Sequence, residues 1–326
     1  MPTSDNRVNP YIANFIDALT EVGMEVTNPP HKNPLFSLLT QTGKSDYYIF
    51  HWLENVPDYK HGWLQFLAAI FLIGIVKMRG KKVVWFLHNK ETHSSGKRRM
   101  KKALTRLICR KADCIITHAS EGIQVTTDIC PQAAGKTHFL HHPTKNRLGK
   151  GQVTHTPQYD LLVWGNISPY KGVKEFVAYC SEHTDPYRAL IVGHCSDPQL
   201  WEELKSHCPD RIHLENRTLS FEELAQQIQQ VRYVLIPYAP ESILSSGILM
   251  DSLSFGAPVI GPEVGSFLDY AHEPQLCVRT FRSFDDIRQI LEEPQPETDR
   301  EAYAHFLEEH NWKQFAQKFK QILTNL

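Results

Sequence analysis

The chain has 326 residues, 41% of them hydrophobic and 22% charged, which suits about two globular domains and excludes the disordered and fibrous classes. Its net charge of -1 conceals two opposed halves. Residues 1–155 hold 21 Lys and Arg against 11 Asp and Glu (+10), and the remainder holds 14 against 25 (-11), so the first half is expected to meet something anionic.

The seven cysteines are scattered, odd in number and without metal-ligand spacing, which predicts reduced thiols in a reducing compartment. No basic segment followed by an apolar stretch opens the chain, so no signal peptide is expected.

In chain order, residues 11–22 place Tyr11, Ile12, Phe15, Ile16, Leu19 and Val22 on one helical face, with Gly23 as the stop. Strands are predicted at 24–27, 47–51, 82–87, 114–117 and 138–140. The segment 63–76, WLQFLAAIFLIGIV, is almost wholly apolar. At about fourteen residues it falls short of the ~20 needed to span a bilayer. It fits a helix buried beside the first sheet, or one dipping into a membrane surface with Lys77, Arg79, Lys81 and Lys82 at headgroup level. The basic run from Lys97 to Lys102 fits a solvated helix face, and is as consistent with an anionic lipid surface as with nucleic acid, though no RNA- or DNA-binding motif precedes it.

Residues 150–157 are polar and read as a linker. Strands are predicted next at 160–164, 189–192, 212–214, 233–236, 258–260 and 277–279, with helices between them such as 221–230. A last helix is expected from about 300 to 326, bearing Trp312, Phe315 and Phe319. Strands alternating with helices predict parallel sheets. The expected organisation is an α/β chain of two Rossmann-like domains, at 1–152 and 153–305, with residues 306–326 packing back across them.

The segment most informative about chemistry is LIPYAPESILSSGILMDSLSFGAPVIGPEVG, residues 235–265. A buried strand ends at Pro237, and a helix starts at Ser245-Ser246-Gly247. Unpaired amides at such a terminus, with the helix dipole behind them, suit an anion. Asp251 lies one turn on and could accept hydrogen bonds from hydroxyls. An ordinary serine-capped helix fits the same residues.

This segment strongly resembles the donor-binding region of glycosyltransferase family 4, retaining enzymes of the GT-B fold. Two further stretches resemble that family in the family's order. Trp164-Gly165-Asn166-Ile167-Ser168-Pro169-Tyr170-Lys171-Gly172-Val173 is similar to its lysine loop, and Val83-Val84-Trp85-Phe86-Leu87-His88-Asn89 to its first-domain strand ending in a cleft-facing histidine. Asn9-Pro10-Tyr11 and His51-Trp52-Leu53-Glu54 resemble polysaccharide-biosynthesis members.

The resemblance implies two parallel sheets facing a cleft and a hexosyl transfer with retention, without a metal. Lys171, Ser245 and the amides near Ser246 and Gly247 would hold the departing diphosphate. Asp251 would hold the ribose, and His88 would meet the sugar or phosphate from across the cleft. Gly165, Asn166 and Tyr238 would line the donor pocket. The expected acceptor is a saccharide, lipid-linked in the family's manner, at the cytoplasmic face of a membrane; peripheral membrane contact is expected and nucleic acid is not.

Three departures stand out. The family's first glutamate position holds Ile243, with Glu241 two residues away. Asn166 stands near the place of its arginine. The family's first strand and Gly-rich loop are not evident before Tyr11. These favour, as alternative, a non-catalytic partner subunit of the same fold. An epimerase would need a carboxylate pair in the cleft, and none is evident. The segment His88–His93 lacks HExxH spacing for zinc. His118 and His141-His142-Pro143 read as strand-end residues.

Overall fold

A computed structural model describes residues 10–27, 35, 38, 44–90, 97–149, 157–241, 243–295 and 297–326. The chain divides into two compact units, residues 1–143 with 310–326, and residues 144–309.

In the first unit α1 (Tyr11–Glu21) precedes β1 (Tyr47–His51), a 3-10 turn (Leu53–Asp58), α2 (Gly62–Met78), β2 (Lys82–Leu87), α3 (Arg98–Lys111), β3 (Cys114–Thr117), α4 (Glu121–Ile129) and β4 (Thr137–Phe139). The strands pair in parallel in the order β1-β2-β3-β4. Residues 83–87 are buried on both faces of the sheet, which is why this strand is a continuous apolar run rather than an alternating one.

The second unit runs β5 (Tyr159–Trp164), α5 (Val173–Glu182), β6 (Ala189–Val192), α6 (Pro198–His207), β7 (Ile212–Glu215), α7 (Phe221–Ile228), β8 (Val231–Leu235), α8 (Gly247–Ser254), β9 (Val259–Pro262), α9 (Gly265–Ala271), β10 (Val278–Phe281), α10 (Asp285–Glu292) and α11 (Arg300–Glu309). Its six strands are all parallel, in the order β10-β9-β8-β5-β6-β7. Leu161 and Val163 point into one apolar layer and Leu162 into the other, so this sheet too is covered on both faces.

Several expectations are corrected. Residues 24–27 form no strand: Gly23 takes a left-handed φ of 77°, Met24 N–H closes back on the Leu19 carbonyl at 3.0 Å, and Met24 and Val26 pack on the core as irregular chain. The expected last helix is two. It breaks at His310, and Asn311 caps α12 (Trp312–Thr324) by accepting from Gln314 N–H at 2.9 Å. The first unit takes residues from 310 onward, not 306, and α12 packs on α1. The division between units falls after Pro143 rather than at 152. Thr144 Oγ1 donates to the Met250 carbonyl at 3.1 Å and Arg147 N–H to that of Ser254 at 2.9 Å, which ties this stretch to α8. Residues 150–156 of the expected linker, and Asn9, lie outside the described residues. All seven cysteines are free thiols.

The first unit closes over an aromatic core of Phe15, Phe86, Phe315 and Phe319. Tyr47 Oη donates to the Leu323 carbonyl at 3.0 Å, and Lys82 Nζ to that of Leu326 at 2.6 Å, so α12 also holds β1 and β2. Phe319 is fully buried. Phe319→Ala is expected to cost about 3–5 kcal/mol in urea denaturation; a loss below about 1 kcal/mol would place α12 outside this core.

Candidate functional site

In the second unit the site residues gather at the carboxyl ends of β5 and β8. Gly165 leaves β5 with φ of 99°, and Gly193 lies so close that a Cβ there would stand 1.9 Å from the Gly165 carbonyl oxygen. Ile167 N–H bonds the His194 carbonyl at 3.0 Å, and the chain then makes a 3-10 turn over Pro169–Lys171. Gly172 has φ of 68°, and a Cβ on it would fall 1.7 Å from the Pro237 carbonyl oxygen. Only glycine permits that approach, which sets the lysine loop against the end of β8. Lys171 Nζ consequently sits 5.5 Å from the centre of the Tyr238 ring. Gly165, Asn166, Lys171, Pro237, Tyr238 and Ile248 line a common pocket.

Lys171 is half-buried and forms no ion pair among the described residues. Burial alone brings its ammonium group down to about 8. Burial raises the Tyr238 phenol, and a hydrogen bond with the Ser246 side chain opposes that rise.

Ser246 caps α8, its Oγ accepting from Leu249 N–H at 3.2 Å. The amides of Gly247 and Ile248 bond no described residue. A Cβ on Gly247 would meet nothing within 4 Å, so the helix terminus is open to approach. Behind it, Ser266 N–H donates to the Leu244 carbonyl at 2.7 Å and braces the loop. Ser245 is half-buried just before the cap.

Asp251 is partnered. Arg147 Nη1 lies 3.4 Å from its carboxylate and donates to Ser254 Oγ at 2.7 Å, while the guanidinium rests 4.3 Å over the Phe221 ring. Burial raises the Asp251 carboxyl and the Arg147 charge opposes the rise. No local spacing around Arg147 signals this role, because its partner is more than a hundred residues away. Glu241 is exposed on a turn and does not line the pocket. Ile243 is buried among Leu249, Met250 and their neighbours, so its side chain belongs to the core.

In the first unit each strand delivers a histidine at or just beyond its carboxyl end: His51 from β1, His88 from β2, His118 from β3 and His142 from the segment after β4. His88 is buried, stacks on Trp52 at 4.2 Å, and holds its Nε2 3.0 Å from His51 Nδ1. His118 Nδ1–H donates to the Leu140 carbonyl at 2.9 Å, which leaves its Nε2 to accept from Tyr11 Oη at 2.7 Å. His51 Nε2 is buried with no hydrogen-bond partner among the described residues. Individually these positions read as strand ends; their convergence, and Tyr11 at its centre, come only from the fold. Among the described residues no set of three His, Cys, Asp or Glu side chains is placed to hold a metal ion, and His93 lies outside those residues.

Burial pushes these imidazoles down: His51 to about 3, with His118 adding to the effect, and His142 to about 4. His88 and His118 also lie well below the ordinary value of 6.5, again through burial first. All are therefore neutral near pH 7.

No protein-family model and no curated protein sequence matches the chain. Solved structures do. The Anabaena protein Alr3699/HepE, determined in complex with UDP, superposes with a TM-score of 0.62 at 14% identity over 90% of this chain and 82% of its own. The lipopolysaccharide outer core galactosyltransferase WaaB, in apo form, gives 0.61 at 14% identity over 89% and 78%. A glycosyltransferase from Rickettsia africae gives 0.58 at 14% identity over 98% and 89%. The chain thus has the α/β fold with two parallel sheets found in GT-B glycosyltransferases.

The unfolded chain binds more protons than the folded one wherever these histidines are held neutral below 6.5. Their contribution to stability is complete above pH 6.5 and declines as pH falls toward 4. The Tm is expected to drop across that interval, with a shallower slope in His51→Phe. An unchanged slope in that variant would show that His51 is not held neutral by the fold.

Proposed function

We propose that the chain transfers a hexosyl group from a nucleoside diphosphate sugar to a saccharide acceptor, with retention at the anomeric carbon. The observation that carries this reading is Lys171: a half-buried ammonium with no counter-ion among the described residues, fixed by Gly172 against β8. A diphosphate supplies the missing anion.

The bond between the anomeric carbon and the diphosphate oxygen breaks, and its electron pair stays on that oxygen. Lys171 and the Gly247 and Ile248 amides stabilise the charge that develops there. The acceptor hydroxyl oxygen forms the new bond, and its proton passes to the departing diphosphate. Gly165, Asn166 and Tyr238 line the nucleotide side, with Ser245 and Ser246 near the phosphates. Asp251, held by Arg147, accepts from the ribose. His88, neutral and hydrogen-bonded to His51, serves the sugar. Glu241 is the carboxylate nearest in sequence to the position Ile243 fills. No metal is needed for this scheme, since the charge is met by Lys171 and amides.

The Anabaena protein's complexes with UDP and with UDP-glucose support a uridine diphosphate donor as the first to test. The acceptor belongs to polysaccharide or glycolipid synthesis and is lipid-linked, at the cytoplasmic side of a membrane. One observation favours a second reading, a non-catalytic partner subunit: the core side chain of Ile243 stands where a sugar-binding glutamate is expected. Donor binding without hydrolysis or transfer would favour it.

Calorimetry with UDP-glucose and other nucleotide sugars tests the site. Lys171→Ala is expected to weaken binding of the accepted donor by about ten- to a hundredfold, the worth of a charged hydrogen bond. Because the diphosphate binds the protonated amine, affinity should hold below pH 8 and weaken as pH rises past it. Equal binding by wild type and Lys171→Ala would remove the site from consideration.

A further inference from the structure

Helix α2 is apolar almost all round, a pattern that belongs to a helix enclosed on every side. It is enclosed on one side only. Ala69, Leu72, Ile73 and Val76 are fully buried, while Trp63, Leu64, Leu67, Phe71 and Met78 are exposed. At 100° per residue these five fall within one stripe about a quarter of the circumference wide, running the length of the helix. Phe71 is 62% and Met78 79% exposed. Elsewhere among the described residues, exposed large apolar side chains are Tyr59, just before the helix, and the isolated Ile123, Tyr170 and Phe221. A contiguous apolar strip of this kind marks a contact surface.

The neighbouring helix supplies the complementary feature. Lys97 Nζ bonds the Pro57 carbonyl at 2.7 Å next to Gly62, and Lys77 pairs with Asp113 at 2.6 Å. These two contacts set α3 alongside α2 and parallel to it, start beside start and end beside end. Arg98, Lys102, Arg106 and Arg110 recur every fourth residue on α3 and are exposed, with Arg99 beside them. Arg99, Lys102, Arg106 and Arg110 form no ion pair with a described residue.

We infer that α2 and α3 form a docking face for a membrane rich in anionic lipid. An apolar stripe lying beside a cationic one matches the two layers of such a surface, acyl boundary and headgroup phosphate. A second protein copy would bring the same positive charge against the Arg and Lys row, which argues for the bilayer. With its inner side committed to β2 and α3, α2 lies along the surface. No helix among the described residues is long and apolar enough to cross a membrane. The inference goes beyond the donor chemistry and does not depend on it.

Sedimentation of the full chain with phosphatidylcholine vesicles, with and without phosphatidylglycerol, tests the face. The wild type is expected to pellet with the anionic vesicles. Leu67→Glu combined with Phe71→Glu should weaken this by about tenfold or more, since it places charge in the acyl boundary. Arg99→Gln, Lys102→Gln and Arg106→Gln together should weaken it by about tenfold or more and abolish the preference for phosphatidylglycerol. All substituted residues are exposed, and circular dichroism together with unchanged UDP-glucose calorimetry verifies that the variants are folded. Vesicle binding with no donor binding would count against the transferase reading and leave this one standing. Failure of the wild type to pellet, or pelleting unaffected by the double glutamate variant, overturns the proposal. So does lipid-free self-association that the same double variant abolishes, which would assign the face to a second copy.

Discussion

A parallel sheet delivers the carboxyl ends of all its strands along one edge, and in both units that edge carries the polar groups that the cores cannot. The strands are buried on both faces, so their side chains are committed to packing. The residues just beyond each strand are released from that commitment and can turn toward a ligand. In the second unit these are Gly165 after β5 and Pro237-Tyr238 after β8. In the first they are His88 after β2 and His118 after β3, beside His51, the last residue of β1. The spacing between adjacent strands then decides which of these groups meet. Glycine is required where two backbones come closer than a Cβ allows, and Gly172 against Pro237 is the tightest such place in the site.

The two edges differ in electrical character. The second unit holds Lys171, which forms no ion pair among the described residues, and open amides at a helix start, groups that can meet negative charge. Supplying that charge costs little rearrangement, because Gly172 and the Ser246 cap already fix the positions of the donors. The first unit instead gathers imidazoles with no carboxylate beside them among the described residues, and burial keeps them neutral. Neutral imidazoles can donate from one nitrogen and accept at the other, which suits hydroxyl-rich molecules rather than phosphates. Asp251 is intermediate between these cases: burial raises its carboxyl, and Arg147, which lies between the carboxylate and the Phe221 ring, opposes the rise.

Most of the fold was legible in the sequence because buried parallel strands advertise themselves. Residues 83–87 and 189–192 are uninterrupted apolar runs, and their limits match the observed ladders closely. Residues 24–27, Met-Glu-Val-Thr, alternate apolar and polar in the manner of a half-buried strand, yet Gly23 and the Met24–Leu19 hydrogen bond direct them away from the sheet. The apolar period of the last helical region continues through Asn311 and hides the capping side chain that divides it. The same holds at the site. The placement of Lys171, Gly172 and Ser246 could be read from short-range pattern, since each lies at a local turn or helix start. Arg147 could not, because it acts on a helix a hundred residues on, and neither could the meeting of Tyr11 with four strand-end histidines. The segment 63–76 was ambiguous for a different reason: its periodicity is lost when both faces are apolar, and only the observed burial separates the inner side from the outer.

The second unit is continuous in sequence, whereas the first is assembled from two separated stretches. Phe315 and Phe319 complete the core around Phe15 and Phe86, and they come after the whole of the second unit in the chain. On a ribosome, therefore, residues 144–309 have everything they need before the first unit does. The amino-terminal half must wait, with α1, the apolar α2 and an open sheet face, until Trp312–Thr324 has emerged. The order in which the two units can be completed is thus the reverse of the order in which they begin, and the loss of residues 312–324 would be felt first around Tyr11–Glu21, some three hundred positions earlier.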